Sequence, residues 1–91
     1  MKKAYTISSD GIDSYIWDVQ RVTMKSLSID DSYRALSPLR CYISTGRASC
    51  DFLRKLFQTS PARIARILTS GGSDAEIIKR IHALIKYTPT I

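Results

Sequence analysis

Two arginines, Arg63 and Arg66, stand three residues apart in the segment 61–69, and the residues around them are mostly small or apolar. A guanidinium group binds phosphates and base edges through paired hydrogen bonds, and small neighbours let a helix approach the floor of a groove. If the segment is helical, the two arginines lie on one face. We therefore expect this face to bind an anion, and the DNA major groove suits it. The outward face is expected to carry Ala62, Arg63, Ala65, Arg66 and Thr69.

The apolar residues of 49–70 have the spacing of two short helices joined by a turn. The i, i+3, i+4 pattern stops at 58–61 and then starts again, which predicts two helices with one stripe facing the core. Ser60 can cap the second helix through its hydroxyl, and Pro61 suits the first helical position. The pattern is typical of a helix-turn-helix whose recognition helix is 61–69. The residues of the two stripes are Phe52, Leu53, Leu56 and Phe57, then Ile64, Ile67 and Leu68.

This stretch, LxxLFQTSPARIARIL, resembles the LAxxFGVSxxxVxRIL pattern of resolvase-like and repressor-like helix-turn-helix proteins. The resemblance covers residues 49–70. Arg54 replaces the usual small Ala and Gln58 the usual turn Gly, so Arg54 would snorkel past the facing helix and Gln58 would adopt a strained or left-handed conformation. The positions that match the pattern's core and cap are Leu53, Phe57, Ser60, Ile64 and Ile67.

The resemblance implies double-stranded DNA as the partner and needs no cofactor. A single unit of this kind buries limited surface, so a homodimer on a two-fold symmetric site is expected, with the first or the last helix as its interface. Lys2 and Lys3 could reach an adjacent groove. The candidate base or phosphate contacts are Thr59, Ser60, Ala62, Arg63, Arg66 and Thr69. The candidate flanking phosphate contacts are Arg47, Arg54, Lys55, Lys79 and Arg80.

The charge distribution agrees with an anionic partner. The chain has 91 residues, enough for one domain, with 14 Lys and Arg against 8 Asp and Glu, and its net charge is +6. Residues 1–46 hold six basic and five acidic side chains, whereas residues 47–91 hold eight basic and three acidic ones. The positive charge therefore accompanies the predicted helix-turn-helix, where counterion release would favour DNA binding.

The rest of the chain predicts an all-α bundle of four to five helices in one domain, with an arm at 1–9, N-terminal helices at 10–46 and a C-terminal helix at 73–88. Residues 11–25 have helical spacing, with Ser9 or Asp10 as a cap; a β-hairpin pairing 4–8 with 15–23 is the alternative. Residues 29–46 predict two short helices or one broken at Pro38. Ser73 and Glu76 form a capping box for the last helix.

Other chemistries find little support in the sequence. One His, one Glu and the scattered Asp residues give no catalytic spacing, so we expect no enzyme. Cys41 and Cys50 have only His82 as a further nitrogen ligand, which predicts half-buried reduced thiols rather than a zinc site or a disulfide. His82, beside basic residues, is expected at the surface near phosphate. No stretch resembles a membrane span or a signal peptide, so a cytoplasmic location is expected.

A second class of function fits the same composition. A small inhibitor or adaptor could use a basic helical surface to bind an acidic protein partner, and RNA could bind the same surface. Trp17 lies outside the apolar stripe of its predicted helix, so it is either the edge of the core or a contact with a partner or a second copy. The salt dependence of DNA binding separates these alternatives.

Overall fold

The structure is a computed structural model that describes residues 7–88, and this part of the chain forms five α-helices and no strand. The all-α prediction is confirmed. Residues 15–23, a strand in the hairpin alternative, are helical, while Lys2, Lys3 and most of the predicted arm lie outside the described residues. The helices are α1 (Ser9–Thr23), α2 (Ile29–Ser44), α3 (Cys50–Gln58), α4 (Pro61–Leu68) and α5 (Asp74–Ile85).

Helix α1 begins one or two residues earlier than its sequence predicts. Ser8, not Ser9 or Asp10, is the N-cap, because its hydroxyl accepts a hydrogen bond from the backbone N–H of Gly11 at 3.1 Å. Tyr15 and Val19 lie one turn apart on its buried face, and both are fully buried. This face therefore anchors α1 to the rest of the domain.

Helix α2 runs without interruption through Pro38, where a break was expected. Proline lacks the N–H that a helix interior uses, so this turn has one hydrogen bond fewer. Leu36 and Leu39 on either side are fully buried, and this packing holds the helix together. The helix ends at a Schellman motif, in which Gly46 has a φ of +76° and the N–H of Arg47 donates to the carbonyl of Tyr42 at 3.2 Å.

The core lies where all five helices meet. Helix α4 packs mainly against α1, and α5 contacts α2, α3 and α4. The capping box of Ser73 and Glu76 at the start of α5 is present as predicted. Cys41 and Cys50 are exposed free thiols, so the expectation of half-buried thiols is wrong. The largest apolar side chains that are fully buried are Tyr15, Leu36, Leu39, Leu56, Ile64, Ile81 and Ile85.

Candidate nucleic-acid interface

Two residues, Thr59 and Ser60, connect α3 to α4. Thr59 has an extended backbone (φ −90°, ψ 140°) and Ser60 has φ −58° and ψ 132°. Among residues 7–88 only glycines have positive φ, so Gln58 ends α3 without the left-handed conformation expected of it. The connection thus avoids strain at the position where the related pattern has Gly.

The start of α4 is built as its sequence predicts. The hydroxyl of Ser60 accepts a hydrogen bond from the N–H of Ala62 at 3.2 Å, and Pro61 occupies the first turn. The carbonyl of Ser60 accepts the N–H of Arg63 at 3.0 Å. These bonds satisfy the free groups at the start of the helix and fix the direction in which α4 leaves the turn.

Thr59, a candidate DNA contact, lies inside the protein with 6% of its surface exposed. Its hydroxyl donates to the carbonyl of Lys55 at 3.1 Å and lies 3.5 Å from the hydroxyl of Thr88. Its carbonyl accepts the hydroxyl proton of Tyr15 at 2.9 Å. The polar groups of Thr59 therefore serve the α3–α4 turn and are not directed to solvent.

The outward face of α4 carries Ala62, Arg63 and Arg66, all exposed. Among the residues described, neither guanidinium has a hydrogen bond or an ion pair. Ala65 is only 4% exposed, so its expected place on this face is wrong: it follows the fully buried Ile64 and packs into the core. Thr69 is exposed, and its hydroxyl is bonded to the carbonyl of Ala65 at 3.0 Å.

The candidate phosphate contacts on the flanks divide into free and bonded side chains. Arg47, Arg54 and Lys79 are exposed, without an ion pair to any residue of 7–88, and Arg54 is not pressed against a facing helix. Lys55 pairs with Asp51 at 3.3 Å along α3. Among the candidate DNA contacts, these three free cations and the two arginines of α4 are available to an anionic ligand.

Arg80 closes the loop between α4 and α5. Its guanidinium donates to the hydroxyl of Ser70 at 3.0 Å and to the carbonyl of Gly71 at 2.6 Å. Glu76 lies 3.8 Å away. Hydrogen bonds from the backbone and hydroxyl of Ser73, together with this guanidinium, lower the pKa of Glu76. Arg80 is thus held by the protein itself.

His82 is exposed, as the sequence predicts, and its ring also belongs to a cluster of aromatic side chains. Its Nε2 atom is 2.9 Å from the hydroxyl of Tyr42, and its ring centroid is 4.7 Å from that of Phe52. The ring joins α2, α3 and α5, although its residue is exposed. Contacts of this kind between residues far apart in the chain have no local signal in the sequence.

Most of the charged side chains of α3 and α4 are positive. Between Asp51 and Asp74 the chain has four basic residues and no acidic one. The cations of this segment are Arg54, Lys55, Arg63 and Arg66. A surface with one sign of charge attracts an oppositely charged polymer over a distance of about 10 Å at 0.1 M salt.

No family model, curated protein or solved structure matches the chain, so its function is inferred from its own residues. Residues 7–88 contain no group of His, Cys, Asp and Glu side chains that could hold a metal ion. No helix in the same range has the length and apolar character needed to cross a membrane.

Proposed function

We propose that α3 and α4 form a helix-turn-helix and that the protein is a small transcriptional regulator that binds double-stranded DNA in a sequence-specific manner. The observation that carries the proposal is the outward face of α4, where Arg63 and Arg66 are exposed and unpaired beside the small Ala62. Helix α4 enters the major groove, and one or both arginines bind base edges.

The remaining contacts position the helix on the DNA backbone. Arg47, Arg54 and Lys79 are exposed cations that can each neutralise a phosphate. Lys55 contributes less because it is paired with Asp51, and Arg80 contributes less because it is hydrogen-bonded to the 70–71 loop. Ser60 stands exposed at the start of α4, where a phosphate can accept its hydroxyl proton, whereas the backbone N–H and the hydroxyl of Thr69 already donate to the carbonyl of Ala65.

The experiment is fluorescence anisotropy on labelled random duplexes, followed by selection of preferred sequences from a random pool. Arg47, Arg54 and Lys79 on phosphates predict a fall in affinity of about 40-fold when salt rises from about 50 to about 200 mM, and of about 500-fold if both arginines of α4 also neutralise phosphates. Selection should enrich one sequence, because the arginines of α4 read base edges. Absence of binding even at low salt would contradict the proposal.

Two further ligands separate DNA recognition from the other classes of function. Single-stranded DNA and duplex RNA of the same length should bind more weakly than duplex DNA, because a single strand has no major groove and the major groove of duplex RNA is too narrow for α4. Tighter binding to RNA would contradict the proposal. Capture of an acidic protein with no affinity for any nucleic acid would assign the protein to the inhibitor or adaptor class instead.

A further inference from the structure

The outward face of α1 exposes a large aromatic side chain. Trp17 is 54% exposed, and Met24 lies two turns further along the same face. The opposite face of α1, with Tyr15 and Val19, is fully buried in the core. Tryptophan is among the residues most often found at the centre of binding surfaces, so this face is a candidate binding surface.

The charges on either side of Trp17 are arranged symmetrically. Asp13 lies four residues before Trp17 and Arg21 lies four residues after it, and all three are exposed. Residues at i, i+4 and i+8 lie along one face of a helix. Arg21 is held only loosely within its own chain, since its guanidinium is 4.0 Å from Asp18 and its side chain is 67% exposed. Trp17 thus has an opposite charge four residues away on either side.

This arrangement is complementary to itself. When two copies of α1 pack antiparallel about a two-fold axis at Trp17, Asp13 of each copy faces Arg21 of the other. A two-fold interface uses the same patch on both subunits, so residue i meets j and j meets i. We propose that the partner of this face is a second copy of the same chain, and that α1, not α5, forms the dimer interface.

Dimerisation through α1 does not depend on the proposed function, because it uses the exposed face of α1 and not the arginines of α4.

The test measures the molar mass of the full chain by sedimentation, without DNA, between about 1 µM and about 1 mM. The chain should form a dimer that dissociates on dilution. Trp17 is the only tryptophan, so its emission should shift to longer wavelength as the dimer dissociates and the indole enters water. A monomer at every concentration would contradict the proposal, and so would a dimer whose Trp17 emission does not change on dilution.

Charge reversal provides the decisive variants. Asp13→Arg alone and Arg21→Asp alone should each weaken dimerisation at least about tenfold, because each puts like charges opposite one another twice. Mixing the two variants should restore a dimer, since the new arginine of one chain then faces the new aspartate of the other. The matched control is Asp31→Arg, an exposed acidic residue on α2 that should have no effect.

The variants also have an outcome that overturns the proposal. Circular dichroism must show the same helix content and melting temperature as the unmodified chain, which is expected at exposed positions. If folded Asp13→Arg dimerises as tightly as the original chain, or if the mixture gives no heterodimer, α1 is not the interface. Failure of DNA binding would leave these results unchanged, so the two proposals are tested separately.

Discussion

The hydroxyl of Tyr15 on α1 donates a hydrogen bond to the carbonyl of Thr59, 44 residues away, at 2.9 Å in the buried core. The ring of Tyr15 also contacts Phe57, with centroids 5.4 Å apart. Both contacts join α1 to the end of α3 and to the turn that follows it. Helix α1 therefore holds the turn from which α4 departs and fixes the direction of the proposed recognition helix.

Removing the hydroxyl of Tyr15 should destabilise the domain. Tyr15→Phe leaves the buried carbonyl of Thr59 without this donor, and we expect the free energy of unfolding to fall by about 1–2 kcal/mol. Urea denaturation measures this change. Tyr33→Phe is the control, because Tyr33 is 50% exposed and should change stability by less than about 0.5 kcal/mol. Equal effects of the two substitutions would contradict the role assigned to Tyr15.

Thr59 should contribute to the turn and not to DNA affinity. Its hydroxyl is already donated to the carbonyl of Lys55, so Thr59→Val should leave the dissociation constant for DNA within about a factor of two. Anisotropy at fixed salt measures it, with circular dichroism to verify folding. A folded variant that binds about tenfold more weakly would indicate a direct contact between this hydroxyl and DNA.

The capping box of α5 should make stability depend on acid pH. Ser73 donates to Glu76 through its backbone N–H at 3.3 Å and its hydroxyl at 3.1 Å, and Arg80 lies close by, so the pKa of Glu76 is lowered in the folded chain. A lowered pKa means that the ionised carboxylate stabilises the fold above its unfolded pKa, about 4.3. This contribution disappears as the pH falls through the lower, folded pKa.

Glu76→Gln removes the ionisation and therefore isolates this pH dependence. The unmodified chain should be more stable than the variant near neutral pH, and the difference should shrink as the solution is acidified below about pH 4. Thermal melts at a series of pH values measure it. Asp30→Asn is the control, because Asp30 is an exposed carboxylate at the start of another helix, α2. A stability difference between the unmodified chain and the Glu76→Gln variant that does not change with pH would contradict the capping role of the carboxylate.

The elements that the sequence predicts correctly are those with local signals. Ser60 and the Ser73–Glu76 pair cap their helices within three residues along the chain, and Pro61 begins α4. Such bonds depend on the order of neighbouring residues and hardly on the rest of the fold. For this reason α4 and α5 begin where their sequences indicate.

The parts that could not be predicted depend on tertiary contacts. The burial of Ala65 follows from the way α4 lies on α1, and the continuity of α2 through Pro38 follows from the packing of Leu36 and Leu39. The bonds that hold Arg80 likewise join residues nine and ten positions apart across a loop. The local sequence predicts Arg80 as a free cation, whereas in the fold its guanidinium donates hydrogen bonds to Ser70 and Gly71.

The measurement that tests the central proposal most directly compares two double variants that lose the same charge. Arg63→Ala with Arg66→Ala removes the unpaired arginines of α4, and Lys25→Ala with Arg34→Ala removes two exposed cations outside the proposed interface. At about 50 mM salt the α4 variant should lose about 100-fold or more in affinity for duplex DNA, and the control less than about tenfold. Equal losses from two folded proteins would contradict the assignment of α4 as the recognition helix.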